Sequence, residues 1–215
     1  MKKYLILFLF VIVPSLSAQF YVGPLGGINV ADVQMEDETS GIWTWGAGAV
    51  ADYYCSENIS LRAEVLYANK GTTIKAKNND PEFNLRTSSI DIPLLFKYEF
   101  GTDRKLYLVA GPTFAYTLTS KLKTEINNIE FNADLKSLTE KIDIGATFGA
   151  GFNFPIKTGK IFFEARYNMG FTNLAKTGTF TAKAGHIEVT GQLEADESKF
   201  KSRGMYLMIG LSIAI

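Results

Sequence analysis

Six charged residues stand in pairs two positions apart: Arg62 and Glu64, Lys97 and Glu99, Glu164 and Arg166. Asp143 and Asp52 add two more carboxylates in similar surroundings. On a strand, a two-residue step returns a side chain to the same face. Opposite charges on one face can pass a proton or an ion along a line of partners. They can also lock one another as ion pairs. In a narrow enclosed space the locked plug is the favoured reading, because an unpaired buried charge is costly. The one imidazole, His186, has Ser198 and Glu188 near it in sequence. A base, a nucleophile and an acidic orienter could be drawn from them. No motif fixes that set, and a solvated loop histidine is the simpler expectation.

Composition excludes other chemistries. One His and one Cys rule out a His- or Cys-rich metal site, and Cys55 has no partner for an internal disulfide. Lys+Arg and Asp+Glu are equal at 22 each, so no basic excess favours nucleic acid. No cofactor is expected.

The elements that would position these charges alternate at period two. In 161–171 the odd positions are Ile161, Phe163, Ala165, Tyr167, Met169 and Phe171, while Glu164 and Arg166 lie on the other face. In 142–154 Ile142, Ile144, Phe148, Phe152 and Phe154 oppose Asp143, Thr147 and glycines. The same holds for 61–67, 90–100 and 205–215. The expected strands are about 20–31, 42–54, 58–71, 85–100, 104–120, 139–154, 159–173 and 201–215, eight in all.

Three features point to a membrane barrel. The polar face combines small residues with charges able to pair. The apolar face carries Trp43 and Trp45 at one rim and Tyr53, Tyr98, Phe100, Phe152 and Phe154 at the other, as an aromatic girdle would. Connections alternate between tight (55–57, 101–103, 157–158) and long (32–41, 72–84, 121–138, 174–200). The expected fold is therefore all-β, an eight-stranded antiparallel up-and-down transmembrane barrel. A soluble lipid-binding barrel is the alternative from the same alternation.

Residues 1–18 read as a secretory signal peptide: Lys2 and Lys3, then an apolar run from Tyr4 to Val13, with cleavage after Ala18. Residues 19–215 form the barrel domain.

The order of motifs resembles the PorT-like outer-membrane β-barrel family of Bacteroidetes. The pieces are Gly26-Gly27-Ile28-Asn29, Leu61-Arg62-Ala63-Glu64-Val65-Leu66-Tyr67 and Ile90-Asp91-Ile92-Pro93-Leu94-Leu95-Phe96-Lys97-Tyr98. Leu108-Val109-Ala110-Gly111-Pro112 and the run from Phe163 to Asn173 complete them. The resemblance implies a barrel in the cell outer membrane and, at family level, work accessory to protein secretion. It implies no catalytic residue. Outer-membrane barrels commonly end on an aromatic residue, where this sequence has Ile215.

The long segments 121–138 and 174–200 also alternate, around Asn127-Asn128 and Ala184-Gly185. They are expected as extracellular hairpins that prolong the barrel. A protective role and a protein-contact role both stand. The expected partners are outer-membrane lipid and a protein at these hairpins, with the chain a monomer. A rim-located lipid hydrolase or acyltransferase using His186 is the rival function.

Overall fold

The structure is a computed structural model that describes residues 19–34, 39–74, 83–101, 105–126, 129–184, 187–193 and 201–215. The signal-peptide reading at 1–18, His186, Ser198 and the Asn127-Asn128 turn lie outside the described residues.

Eight long strands form the wall: β1 (Gln19–Gln34), β2 (Thr39–Tyr54), β3 (Ile59–Ile74), β4 (Phe83–Phe100), β5 (Leu106–Ile126), β7 (Ile142–Ile156), β8 (Gly159–Gly170) and β11 (Lys201–Ala214). Each pairs antiparallel with its neighbour in the order β1-β2-β3-β4-β5-β7-β8-β11. The β1–β11 ladder closes the ring. All-β closure leaves the wall without an edge, which an isolated sheet in lipid could not tolerate. Among the described residues no helix is long and apolar enough to cross a membrane.

Strand alternation sorts the side chains. Leu94, Phe96, Leu108, Phe114, Ile144, Phe148, Phe163, Leu207 and Ile209 are exposed on the outer face. Arg62, Glu64, Lys97, Glu99, Glu164 and Arg166 are buried on the inner one. The inner face is less polar than its charges suggest. Leu25, Val50, Leu66, Leu95, Val109, Phe162, Tyr206 and Met208 are buried there with Tyr107, and form one apolar cluster inside the barrel.

Several strand limits differ from the sequence expectation. β1 runs three residues beyond position 31, although it carries Pro24. The β1–β11 ladder skips Gly23 and Pro24, so the missing N–H of proline leaves no broken pair. β7 begins at Ile142 rather than 139, and β8 stops at Gly170 rather than 173. The chain there loses regular strand geometry but stays bonded to its neighbours in the wall: Thr117 N–H donates to the Lys141 carbonyl at 2.8 Å and Leu135 N–H to the Ser120 carbonyl at 2.9 Å. Thr139 bridges Ala175, and Glu140 N–H donates to the Leu174 carbonyl at 2.8 Å.

β5 passes position 120 and reaches Ile126 because it changes partners. Up to Tyr116 it pairs with β7. From Lys121 it pairs with β6 (Ile129–Asp134). β6 pairs in turn with β9 (Gly178–Ala184), and β9 with β10 (Ile187–Leu193). The two expected hairpins are thus one four-stranded sheet. It prolongs the wall above β7 and β8 from the extended β4–β5 ladder, and among the described residues β10 has no ladder to β11.

Candidate functional site: the charged lumen and the sheet above it

Arg62 and Glu64 come from β3, Glu164 and Arg166 from β8. In the closed ring these strands stand diametrically opposite. The two pairs have reversed order along strands that run the same way, so unlike charges meet at each level. Arg62 Nη1 lies 2.9 Å from Glu164 Oε2, and Arg166 Nη1 lies 2.7 Å from Glu64 Oε2. Arg166 Nη2 also reaches Glu164 Oε1 at 2.6 Å. Asp52, on β2, receives Arg62 through two bonds of 2.7 and 2.9 Å. This fork geometry is the strong form of a carboxylate pair.

A second layer lies nearer the tight turns. Lys97 Nζ sits 2.9 Å from Glu99 Oε1 and 3.9 Å from Asp52 Oδ2. Lys160 approaches Glu99 at 3.2 Å, Asn153 donates to it at 2.9 Å, and the Tyr54 hydroxyl donates to it as well. Four cations (Arg62, Lys97, Lys160, Arg166) face four carboxylates (Asp52, Glu64, Glu99, Glu164). The network is neutral, as burial demands.

Aromatic rings fill the gaps. Arg62 lies over the Phe162 ring at 4.6 Å and Lys97 over the Tyr107 ring at 4.3 Å. Tyr107 also donates to Glu164 at 2.9 Å. Two lumen-facing glycines make room for these rings: a Cβ on Gly151 would overlap the Tyr107 phenol, and one on Gly210 would overlap the Phe162 ring. Gly151→Val is therefore expected to destabilise the barrel by about 1–3 kcal/mol through overpacking. A lowered urea midpoint in lipid vesicles checks this. An unchanged midpoint would mean that Tyr107 can rotate away freely.

Asp143 does not join this network, although its strand parity suggested that it would. It lies toward the barrel mouth, where Ser202 donates to its Oδ2 at 2.5 Å. Beside it Lys70 pairs with Asp91 at 2.9 Å, and Ser89 donates to Asp91 at 2.6 Å. Lys70, Ser89, Asp143 and Ser202 line a cavity of about 40 Å³ with Thr139 and Leu174. The separation follows from height: Asp143 pairs in register with Ala115, well above the Gly151–Glu164 level.

Lys70, Asp91, Lys160, Tyr54 and Tyr107 were not singled out from the sequence. Asp91 and Lys160 show the parity that marked the others. Tyr54 and Tyr107 sit on the inner parity too, and an aromatic among inward polar residues was the available signal.

The aromatic residues of the expected girdle lie on the outer face. Trp43 and Trp45 are exposed near the mouth end, with Trp45 packed on Tyr67 at 5.8 Å. At the turn end Tyr98 meets Phe100 at 4.8 Å and Phe152 meets Phe154 at 4.6 Å, while Tyr53 is half-buried.

A closed eight-stranded ring, apolar outside and packed with paired charges within, defines a small barrel of the outer-membrane class. Residues 15–176 match the model of the outer membrane protein beta-barrel domain, and the chain belongs to that family. Fold and family indicate an outer-membrane location. No curated protein sequence matches the chain. Among solved structures, the outer membrane protein OprG from Pseudomonas aeruginosa is similar, with a TM-score of 0.50, 11% identity, and 92% and 95% of the two chains covered. Neisserial surface protein A is similar with a TM-score of 0.41 at 13% identity, covering 90% of this chain and 97% of its own. CarO of Acinetobacter baumannii gives 0.44 at 16% identity, covering 89% and 96%. At these identities the likeness is one of fold.

Proposed function

We propose that this protein is a non-enzymatic outer-membrane barrel that presents the sheet β5-β6-β9-β10 to a protein partner outside the cell. The observation that carries the reading is the edge of β10. Among the described residues β10 pairs only with β9, so one row of backbone donors and acceptors is left open. An open edge above a rigid barrel suits strand addition by a partner. The plugged lumen supports the same view: eight strands packed with side chains leave no water-filled route for solute. The PorT-like resemblance suggests a partner in protein secretion.

In this reading the signal peptide 1–18 carries the chain across the inner membrane, the girdle residues mark the two lipid interfaces, and the long segments face outward. Protease added to whole cells is then expected to cut at Lys123, Lys136 or Lys183 and to spare Lys157 in its tight turn. Cutting at Lys157 alone would invert the orientation.

The direct test is photo-crosslinking in intact cells from a probe at Gln192, exposed on β10. One discrete adduct, lost when 179–190 are deleted from a barrel that still assembles, supports the edge as the contact. Adducts unchanged by the deletion would place the contact elsewhere.

A further inference from the structure

The sheet above the barrel also carries an unusual concentration of positive charge. A groove of about 790 Å³ is lined by Lys121 and Lys123 of β5, Lys136 and Lys141 of the link between β6 and β7, and Thr181 of β9, with Asp134 its one carboxylate. All four lysines are exposed. Among the described residues none of them forms an ion pair. The chain as a whole has no net charge, so this local excess is a placement and not a bulk property.

Register shows which way part of this surface faces. Leu85 and Thr87 line the cavity inside the mouth, so Arg86 between them faces outward and is exposed. Lys121 is paired with Arg86 on one side and Asp134 on the other, and shares their face. That face continues the lipid-facing wall. Tyr116, the highest exposed aromatic on β5, lies five residues below Lys121. At about 3.3 Å per residue and a tilt of about 45°, the step is roughly 12 Å. Lysine stems bend toward the interface, which brings the ammonium groups to the headgroup layer.

We propose that this groove binds the phosphate groups of the phosphorylated glycolipid in the outer leaflet. The occupant follows from charge and height: four lysines lining one groove beside the headgroup layer, none of them ion-paired among the described residues, favour a multivalent anion held by the same bilayer. The groove lacks the aromatic anchors on which protein contacts usually centre. The inference rests on the outward orientation proposed above but not on the β10 edge.

The test uses the full chain in detergent with bisphosphorylated lipid A as the probe, and lipid retention read by native mass spectrometry. The wild-type protein is expected to hold the bisphosphorylated form about tenfold or more tightly than the dephosphorylated form, with salt weakening the difference. The Lys121→Gln, Lys123→Gln, Lys136→Gln, Lys141→Gln variant should lose that preference, while Lys157→Gln keeps it. Equal binding of both lipids, a preference that survives the fourfold variant, or equal competition by inorganic phosphate at the same concentration would each overturn the proposal. The wild-type arms stand even if the fourfold variant assembles poorly. Because the protein is in detergent, orientation does not enter, and protease accessibility tests it separately.

Discussion

Replacing Arg62 by methionine is expected to cost the barrel about 3–5 kcal/mol. Arg62 is fully buried and holds Asp52 at 2.7 Å and Glu164 at 2.9 Å, so its loss leaves four buried carboxylates with three cations, Asp52 with Lys97 only at 3.9 Å and Glu164 with an Arg166 it shares with Glu64. The Ser212 hydroxyl at 3.3 Å and the Tyr107 hydroxyl at 2.9 Å remain, but hydroxyls do not neutralise charge. Urea unfolding from lipid vesicles measures the loss. A double-mutant cycle of Glu64→Leu and Arg166→Met then isolates the coupling of the opposite pair. Removing both should cost clearly less than the two single losses added together. Coupling near zero would mean that water compensates these charges, and the plug would have to be reconsidered as a wet passage.

The second large effect separates neighbours in sequence by the side they face. Phe148 is 50% exposed on the outer wall, midway along β7. Phe148→Arg is expected to cost about 2–4 kcal/mol by setting a guanidinium among lipid tails. Thr147 is fully buried, in contact with Thr113 at 2.5 Å and bonded to Asn168 at 3.0 Å. Thr147→Arg acts by crowding the lumen instead. Bilayer thickness tells the two apart. Thinner lipid should relieve Phe148→Arg, whose charge then reaches water, and leave Thr147→Arg unchanged. Equal penalties that ignore thickness would contradict the assignment of faces.

Parity made much of this readable in advance. Arg62, Glu64, Glu164 and Arg166 could be placed on inner faces because each strand repeats at two, and burying one face makes a one-residue slip visible in every side chain. The same rule found Trp43, Tyr98 and Phe154 on the outside. What parity cannot supply is height. Two inward carboxylates, Asp143 and Glu164, look alike along their own strands, yet stagger between strands sets them in different layers. Nor could alternation show that β6 would pair with β9. That ladder joins Asp134 to Thr181, far apart in the chain, and nothing local distinguishes it from two separate hairpins. The bridge between Thr139 and Ala175 was hidden for the same reason: Thr139 was read as the start of a regular strand and Ala175 as part of a long connection.

The cross-lumen pairs have a consequence for how many strands the wall can contain. Arg62 meets Glu164 and Arg166 meets Glu64 from opposite sides, each at hydrogen-bond distance with no slack. Barrel diameter grows with strand number. A ring widened by one more hairpin would carry the two sides beyond the reach of an arginine and a glutamate, and a narrower one would leave no room for Tyr107 and Phe162 between them. The four side chains therefore work as a gauge of circumference, rewarding the chain only when its ends meet around eight strands and around no other number.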